Sequence, residues 1–315
     1  MNLRDLQYVV AVAETRHFGR AAERCFVSQP TLSGQIRKLE EQLGITIFER
    51  TRRSVELTPV GREIVTHARQ ILEQADSIEQ LAIRSRDPLA GPLRVGAIPT
   101  LSPYLIPLII SPLTKQYPQL QLILSEEITE TLLTRLTRHQ IDVALIATPL
   151  ETPEQLRKLT ITPLFDEPFW LAHPRQHPLY NQEEITREDL QKLHILLLSE
   201  GHCLARQVMA VIGEAKTTRQ QGKPDLQAAS LETLLQLVGA GFGSTLVPAL
   251  ATRGPWMTDS GIIARQLALP DASRRVSMVF RKSFPRQQAL NAFAQVIREN
   301  LPNTVTPCTP ADKTT

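Results

Sequence analysis

Aromatic residues are scarce in this chain, at 5% of its 315 positions, and there are three cysteines, Cys25, Cys203 and Cys308. Their odd number and wide separation argue against a disulfide framework. No close pair has the spacing of metal ligands, so no structural metal and no cofactor are expected. Long apolar runs are also missing. The candidate at Ile195 to Leu198 ends at once in polar residues, well short of the roughly 18 a membrane span needs. The first stretch is interrupted by Arg4, Asp5 and Glu14, unlike a secretory signal. A cytoplasmic location with no membrane partner is the expectation. Charge of one sign is not in excess either: 35 Lys and Arg stand against 32 Asp and Glu, a net +3. Any claim of nucleic-acid binding must therefore rest on pattern, not on bulk charge.

What is present is the balance of a globular protein, 42% hydrophobic and 21% charged, with the length of roughly two domains. Leu3, Leu6, Val9, Val10 and Ala13 fall on one face of a helix. Ala21, Ala22 and Phe26 mark a second helix, and Leu32, Ile36, Leu39 and Leu43 a third. Before the third stand Ser28, suited to capping, and Pro30, suited to a first turn. Two short strands, Thr46 to Phe48 and Val55 to Leu57, face each other across a turn containing Arg50, Arg52 and Arg53. Residues 1–58 thus read as a winged helix-turn-helix.

From Pro59 a long helix places Ile64, Ala68, Ile71, Ala75, Ile78 and Ala82 at alternating steps of four and three, the repeat of a coiled-coil seam. This linker, residues 59–88, is expected to pair two subunits. Residues 89–301 then alternate strand-like and helix-like segments, starting with Leu93 to Ile98 and Val143 to Ala147, which indicates an α/β layered region. Residues 302–315 are rich in Pro and Thr and are expected to form a disordered tail carrying Cys308.

Phe18, Ala21-Ala22, Ser28-Gln29-Pro30-Thr31-Leu32-Ser33, Ile36, Leu39-Glu40, Leu43-Gly44, Leu57-Thr58 and Gly61 stand in a recognisable pattern. With it, the chain resembles the LysR-type transcriptional regulators over nearly its whole length. The resemblance implies an effector region of two α/β lobes, like type 2 periplasmic binding proteins. Lobe I would hold about residues 93–165 and 270–301, and lobe II about 166–269. It also implies a homo-oligomer, dimeric through the linker helix and tetrameric overall, with double-stranded DNA and RNA polymerase as partners and no enzymatic activity. Ile98-Pro99-Thr100, Leu164 to Pro168, Glu200 to Leu204 and Ala229 to Leu234 are similar to the peroxide-sensing regulators of that family.

A helix-turn-helix lays its second helix in the major groove, and the side chains of the first turn meet base edges. Gln29, Pro30, Thr31 and Ser33 occupy that turn, with Arg37 one turn on. Gln29 presents an amide edge suited to adenine, and Pro30 and Thr31 offer apolar contact to a thymine methyl. Arg50, Arg52 and Arg53 of the wing are expected on backbone or minor groove. The DNA site is expected to be a pseudo-palindrome.

Cys203 is expected at or just before the start of a helix, because Leu204, Val208, Val211 and Ala215 supply an apolar face directly after it. Helix N-terminal donors favour anionic sulfur, the species that attacks peroxide. The resemblance implies that hydrogen peroxide is the signal and oxidises Cys203, with Thr100, Thr129, His202 and Arg275 shaping the pocket. Such sensors carry a second, resolving cysteine where this chain has Ile212. Oxidation would then end at sulfenic acid, at a mixed disulfide with a small thiol, or at a disulfide with Cys25 or Cys308. The alternative function is a regulator binding a reversible small-molecule effector in the cleft between the lobes. The run Gly239 to Gly243 follows a helix-like stretch, so a helix-ending turn is expected there, not a phosphate loop.

Overall fold

The computed structural model describes residues 1–50, 55–150, 157–199, 201–213, 227–253 and 261–308. The chain divides into two units, Met1–Arg86 and Asp87–Thr315.

In the first unit, α1 (Leu3–Thr15) starts at Asn2, whose side chain accepts from the Asp5 amide while the Asp5 carboxylate accepts from the Asn2 amide. This reciprocal cap satisfies two helix-end donors. α2 (Phe18–Arg24) and α3 (Gln29–Leu43) follow. Val9, Val12, Ala21, Ala22, Leu32, Ile36 and Leu39 close one core. The wing strands are β1 (Phe48–Arg50) and β2 (Val55–Leu57), paired antiparallel. The first strand begins later than the expected Thr46 because Thr58 takes the preceding carbonyls. Its hydroxyl donates to Thr46 at 2.8 Å and its amide to Ile47 at 3.1 Å. Gly61 lies against the same carbonyl: a Cβ there would stand 2.2 Å from the Ile47 oxygen. Arg52 and Arg53 lie outside the described residues.

α4 (Pro59–Arg86) spends the expected seam in two ways. Ala68 is buried and Ile64 packs on the core, whereas Ile71 and Ile78 are 41% and 68% exposed.

The second unit is built on a mixed sheet in the order β10-β6-β11-β5-β3-β4. β3 (Gly91–Ala97) runs parallel to both β4 (Leu120–Glu126) and β5 (Val143–Thr148). β5 is buried along its whole length, which its apolar run requires of a central strand. α5 (Ser102–Gln116) and α6 (Thr129–Thr137) connect these strands. β6 (Leu159–Pro174) is the longest strand. Up to Pro168 it pairs with β11 (Ser273–Arg281), and from Phe169 with β9 (Thr245–Pro248); β10 (Ile262–Gln266) pairs along its last part. β6 therefore leaves one core and enters another: Leu164 and Phe165 belong to the first, Phe169 and Leu171 to the second.

The second core is completed by α7 (Arg187–Lys192), the short strands β7 (Leu197–Leu198) and β8 (Gln227–Ala228), α8 (Cys203–Ile212) and α9 (Leu231–Gly239). α10 (Gln287–Glu299) returns to the first core. The expected turn at Gly239 to Gly243 is present: α9 ends there, and Gly241 has φ +82°.

One expectation is corrected. Residues 302–308 are ordered, because Thr306–Pro307 form β12 against β6 and the Cys308 amide donates to Leu164 at 2.9 Å. Cys308 is buried, so it is no tether for a mobile thiol. Residues 309–315 lie outside the described part.

Candidate functional site

The reading face comes from α3. Ser28 caps it, accepting from the Thr31 amide at 3.3 Å and lying 2.8 Å from the Thr31 hydroxyl. With Leu32, Ile36 and Leu39 turned into the core, Gln29, Pro30, Thr31 and Arg37 are left exposed and Ser33 half-buried. Arg37 pairs with Glu41 at 3.0 Å. Glu40 accepts from the amides of Ile47 and Phe48 at 2.8 and 3.1 Å, tying α3 to the base of the wing. Arg50 ends β1 opposite Val55. Cys25 closes α2 and is half-buried against this core. Burial pushes its thiol pKa up, partly offset by Arg24.

Cys203 is the first residue of α8, as its flanking residues predict. Gly201, at φ +97°, turns the chain into the helix, and His202 precedes it without a side-chain cap bond. The rest of α8 packs through Leu204, Val208, Val211 and Ile212 into the second core, yet Cys203 packs against the first. The sulfur thus sits where the lobes meet.

There it lines a cavity of about 380 Å³ with Thr129 of α6, Ala147 and Pro149 from the end of β5, and Arg206 and Gln207 of its own helix. Two polar atoms of this cavity's lining residues, Thr129 Oγ1 and Gln207 Oε1, are buried without a hydrogen-bond partner. A native interior rarely leaves such atoms unsatisfied. The N-terminal end of α8 gives the cavity donors beside the sulfur, and its lining carries one cationic residue, Arg206, and one carboxylate, Glu130.

Of the residues expected in the pocket, Cys203 and Thr129 share this cavity, while Thr100, His202 and Arg275 do not line it. Thr100 is held from behind: Arg274 donates to its hydroxyl at 2.8 Å and to its carbonyl at 2.9 Å. Arg274 also pairs with Glu167 at 2.8 Å, both side chains fully buried. Arg275 points the other way, its guanidinium bound to both carboxylate oxygens of Asp166 at 2.7 and 2.8 Å, and lines a neighbouring cavity that shares Pro149 and Gln207. The strand decides this, since adjacent residues of β11 face opposite sides. Arg274, Arg206 and Gln207 were not singled out in the sequence. For Arg206 and Gln207 the signal was available: three and four residues after Cys203, they lie on its helix face.

A second contact bridges the lobes. Tyr104 of α5 packs against both cores and donates to Glu232 of α9 at 2.8 Å. Burial and that carboxylate push the phenol pKa far up, so it remains a donor. Among the described residues no helix is long and apolar enough to cross a membrane.

Comparison with known proteins agrees with both halves of this architecture. Residues 3–62 match the bacterial regulatory helix-turn-helix protein, lysR family, and residues 86–302 match the LysR substrate binding domain. The chain is 40% identical over 301 residues to a hydrogen peroxide-inducible genes activator of Dickeya chrysanthemi, covering 96% of each chain. It is equally 40% identical over 301 residues to the DNA-binding transcriptional dual regulator OxyR of Escherichia coli K12, again covering 96% of each. Among solved structures, a full-length OxyR of Pseudomonas aeruginosa with a cysteine-to-aspartate substitution superposes with a TM-score of 0.75 at 40% identity, covering 95% of both chains. A peroxide-bound cysteine mutant of OxyR from Corynebacterium glutamicum gives 0.63 at 35% identity, covering 95% of this chain and 92% of that one. The chain belongs to the LysR family of DNA-binding transcriptional regulators.

Proposed function

We propose that this regulator senses hydrogen peroxide through Cys203 and controls oxidative-stress genes. The observation that carries the reading is the Cys203 cavity, a half-buried thiol at a helix N-terminus beside two buried polar atoms with no partner. Peroxide is small and both donates and accepts, so it suits Thr129 Oγ1 and Gln207 Oε1. The Cys203 thiolate attacks one peroxide oxygen, forming the S–O bond of a sulfenic acid as the O–O bond breaks. The leaving hydroxide takes a proton and departs as water, with Arg206 and the helix end stabilising the developing charge. Thr100 acts through its bonds to Arg274, which hold the wall of the first lobe.

Ile212, buried in the second core, leaves no resolving sulfur on α8. Cys308 is buried beside β6, its amide bound to Leu164. We take the oxidised state to be the sulfenic acid or its mixed disulfide with a small thiol, and mass spectrometry of the oxidised protein distinguishes these from a disulfide with Cys25 or Cys308. Because Cys203 touches the core of the opposite lobe, a bulkier, polar sulfur displaces one lobe against the other and changes how subunits pair. Pairing uses the exposed Ile71 and Ile78 of α4 to make a dimer, and two dimers a tetramer. Gln29, Pro30, Thr31, Ser33 and Arg37, with Arg50, Arg52 and Arg53 of the wing, read a pseudo-palindromic site in the cytoplasm and present the complex to RNA polymerase. Each sulfur reacts once per signal, so the protein is a sensor and not an enzyme.

Mass spectrometry after brief peroxide treatment tests this reading: Cys203 is modified first. An unmodified Cys203 beside oxidised Cys25 or Cys308 overturns it.

A further inference from the structure

The second lobe holds another cavity, of about 560 Å³, which shares no lining residue with that of Cys203. Among the described residues, every ionisable side chain lining it is basic: Arg175 and His177 after β6, Lys192 at the end of α7, and His194. No carboxylate of the described residues lines it. Part of the wall is bare backbone, from the turn at Gly239, Gly241 and Gly243 and from Gly261, where an anion can approach without meeting a side chain.

The polar groups are unevenly satisfied. Arg175 makes no ion pair among the described residues. Among the described residues, Lys192 meets the carboxylate of Asp189 at 4.0 Å, and Asp189 is already engaged by Gln182 and by the amide and hydroxyl of Thr186. His177 accepts from the Leu179 amide through Nδ1 at 3.2 Å, so its ring proton sits on Nε2, 3.4 Å from the buried Ser244 hydroxyl. The fully buried His173 ring lies 4.9 Å away, tilted by 35°, and fixes this ring in place. His177 thus serves as a neutral donor beside two permanent cations.

We infer that this cavity is a binding site for a small phosphate-type oxyanion, free or carried on a metabolite, distinct from the peroxide site. Arg175 supplies a planar fork, Lys192 a point charge, and His177 with Ser244 neutral hydrogen bonds. The volume leaves room beyond a single phosphate for the body of a metabolite.

Calorimetry with inorganic phosphate at constant ionic strength tests this on the full chain. Three proteins are compared: wild type, Arg175→Ala/Lys192→Ala, and Arg52→Ala/Arg53→Ala, the last removing anion sites of the wing. Arg175 and Lys192 are exposed, and thermal melts matching wild type show that their variant folds. The expected result is saturable binding at one site per chain, weakened at least tenfold in the Arg175/Lys192 variant and unchanged in the wing variant. Heats that do not saturate, or an affinity lost in the wing variant and kept in the other, overturn the inference. Repeating the titration with a sugar phosphate identifies the source: tighter binding than phosphate assigns a metabolite, equal binding the free anion.

Discussion

Arg274 donates to both the hydroxyl and the carbonyl of Thr100, at 2.8 and 2.9 Å, while its Nε holds the carboxylate of Glu167 at 2.8 Å. Glu167 in turn accepts from the Leu250 amide. These groups are buried where β6 and β11 pass between the two cores, so a single guanidinium ties the start of α5 to the crossing strands. Removing it leaves a carboxylate buried and unpaired, which costs about 3–5 kcal/mol. Arg274→Ala should lower the unfolding free energy by that order. Arg275→Ala, which breaks a pair about one-third exposed on each side, should cost under about 1 kcal/mol. Urea unfolding of the two variants separates them, and equal costs would contradict the assignment.

Thr129→Val should separate reactivity from stability. Its hydroxyl is buried without a partner, so its loss leaves the melting temperature unchanged or raised. Peroxide loses one hydrogen bond, worth about tenfold in rate. The rate of Cys203 modification, followed by quenched mass spectrometry, should fall by roughly that factor. A variant that is destabilised but reacts at the wild-type rate would assign Thr129 to structure alone.

On DNA, Arg52→Ala and Gln29→Ala should differ in kind. A wing cation neutralising one phosphate reduces the slope of log affinity against log salt by about 0.9 and weakens all sequences alike. Gln29 is exposed at the first position of α3, so its loss should relax base preference at one position of each half-site by about 1–3 kcal/mol. Binding to randomised sites at several salt concentrations reads both. An Arg52→Ala variant with altered sequence preference would place that residue on base edges.

How much of this was legible beforehand depended on the range of the contacts involved. The start of α8 at Cys203, the turn after α9 and the helices of the first unit follow from local periodicity and capping, which a sequence displays directly. The side of β11 on which each arginine falls does not: Arg274 and Arg275 are adjacent and chemically identical, and only the register against β6, broken between Val276 and Ser277, decides which is buried. Thr100 is expected in the peroxide pocket, yet the threonine is claimed by Arg274, a residue far along the chain. The Pro- and Thr-rich end reads as unstructured, but β6 at Phe165 and Asp166, paired with β11 on one edge, accepts Thr306 and Pro307 as a strand on the other. In each of these cases the deciding partner is distant in sequence.

Stability should fall on mild acidification. Burial lowers the pKa of His173 and, with His173 as neighbour, that of His177, below the ordinary 6.5. Between those depressed values and 6.5 the unfolded chain binds more protons than the folded one. The contribution is therefore fully present above about pH 6.5 and is lost as pH falls through the folded values. His177→Asn keeps an acceptor for the Leu179 amide and removes one titrating group. Urea midpoints measured at about pH 7.5 and 5.5 should show a smaller loss in this variant than in wild type. An unchanged loss would assign the pH dependence elsewhere.

The central claim is that the oxidation state of one sulfur sets how the protein grips its operator. Footprinting of the reduced and the peroxide-treated protein on a bound promoter, alongside Cys203→Ser, measures this directly. The protected region should lengthen, shorten or shift after peroxide in the wild type and stay fixed in Cys203→Ser. Identical footprints before and after peroxide in a wild type whose Cys203 is verified as oxidised would contradict the account.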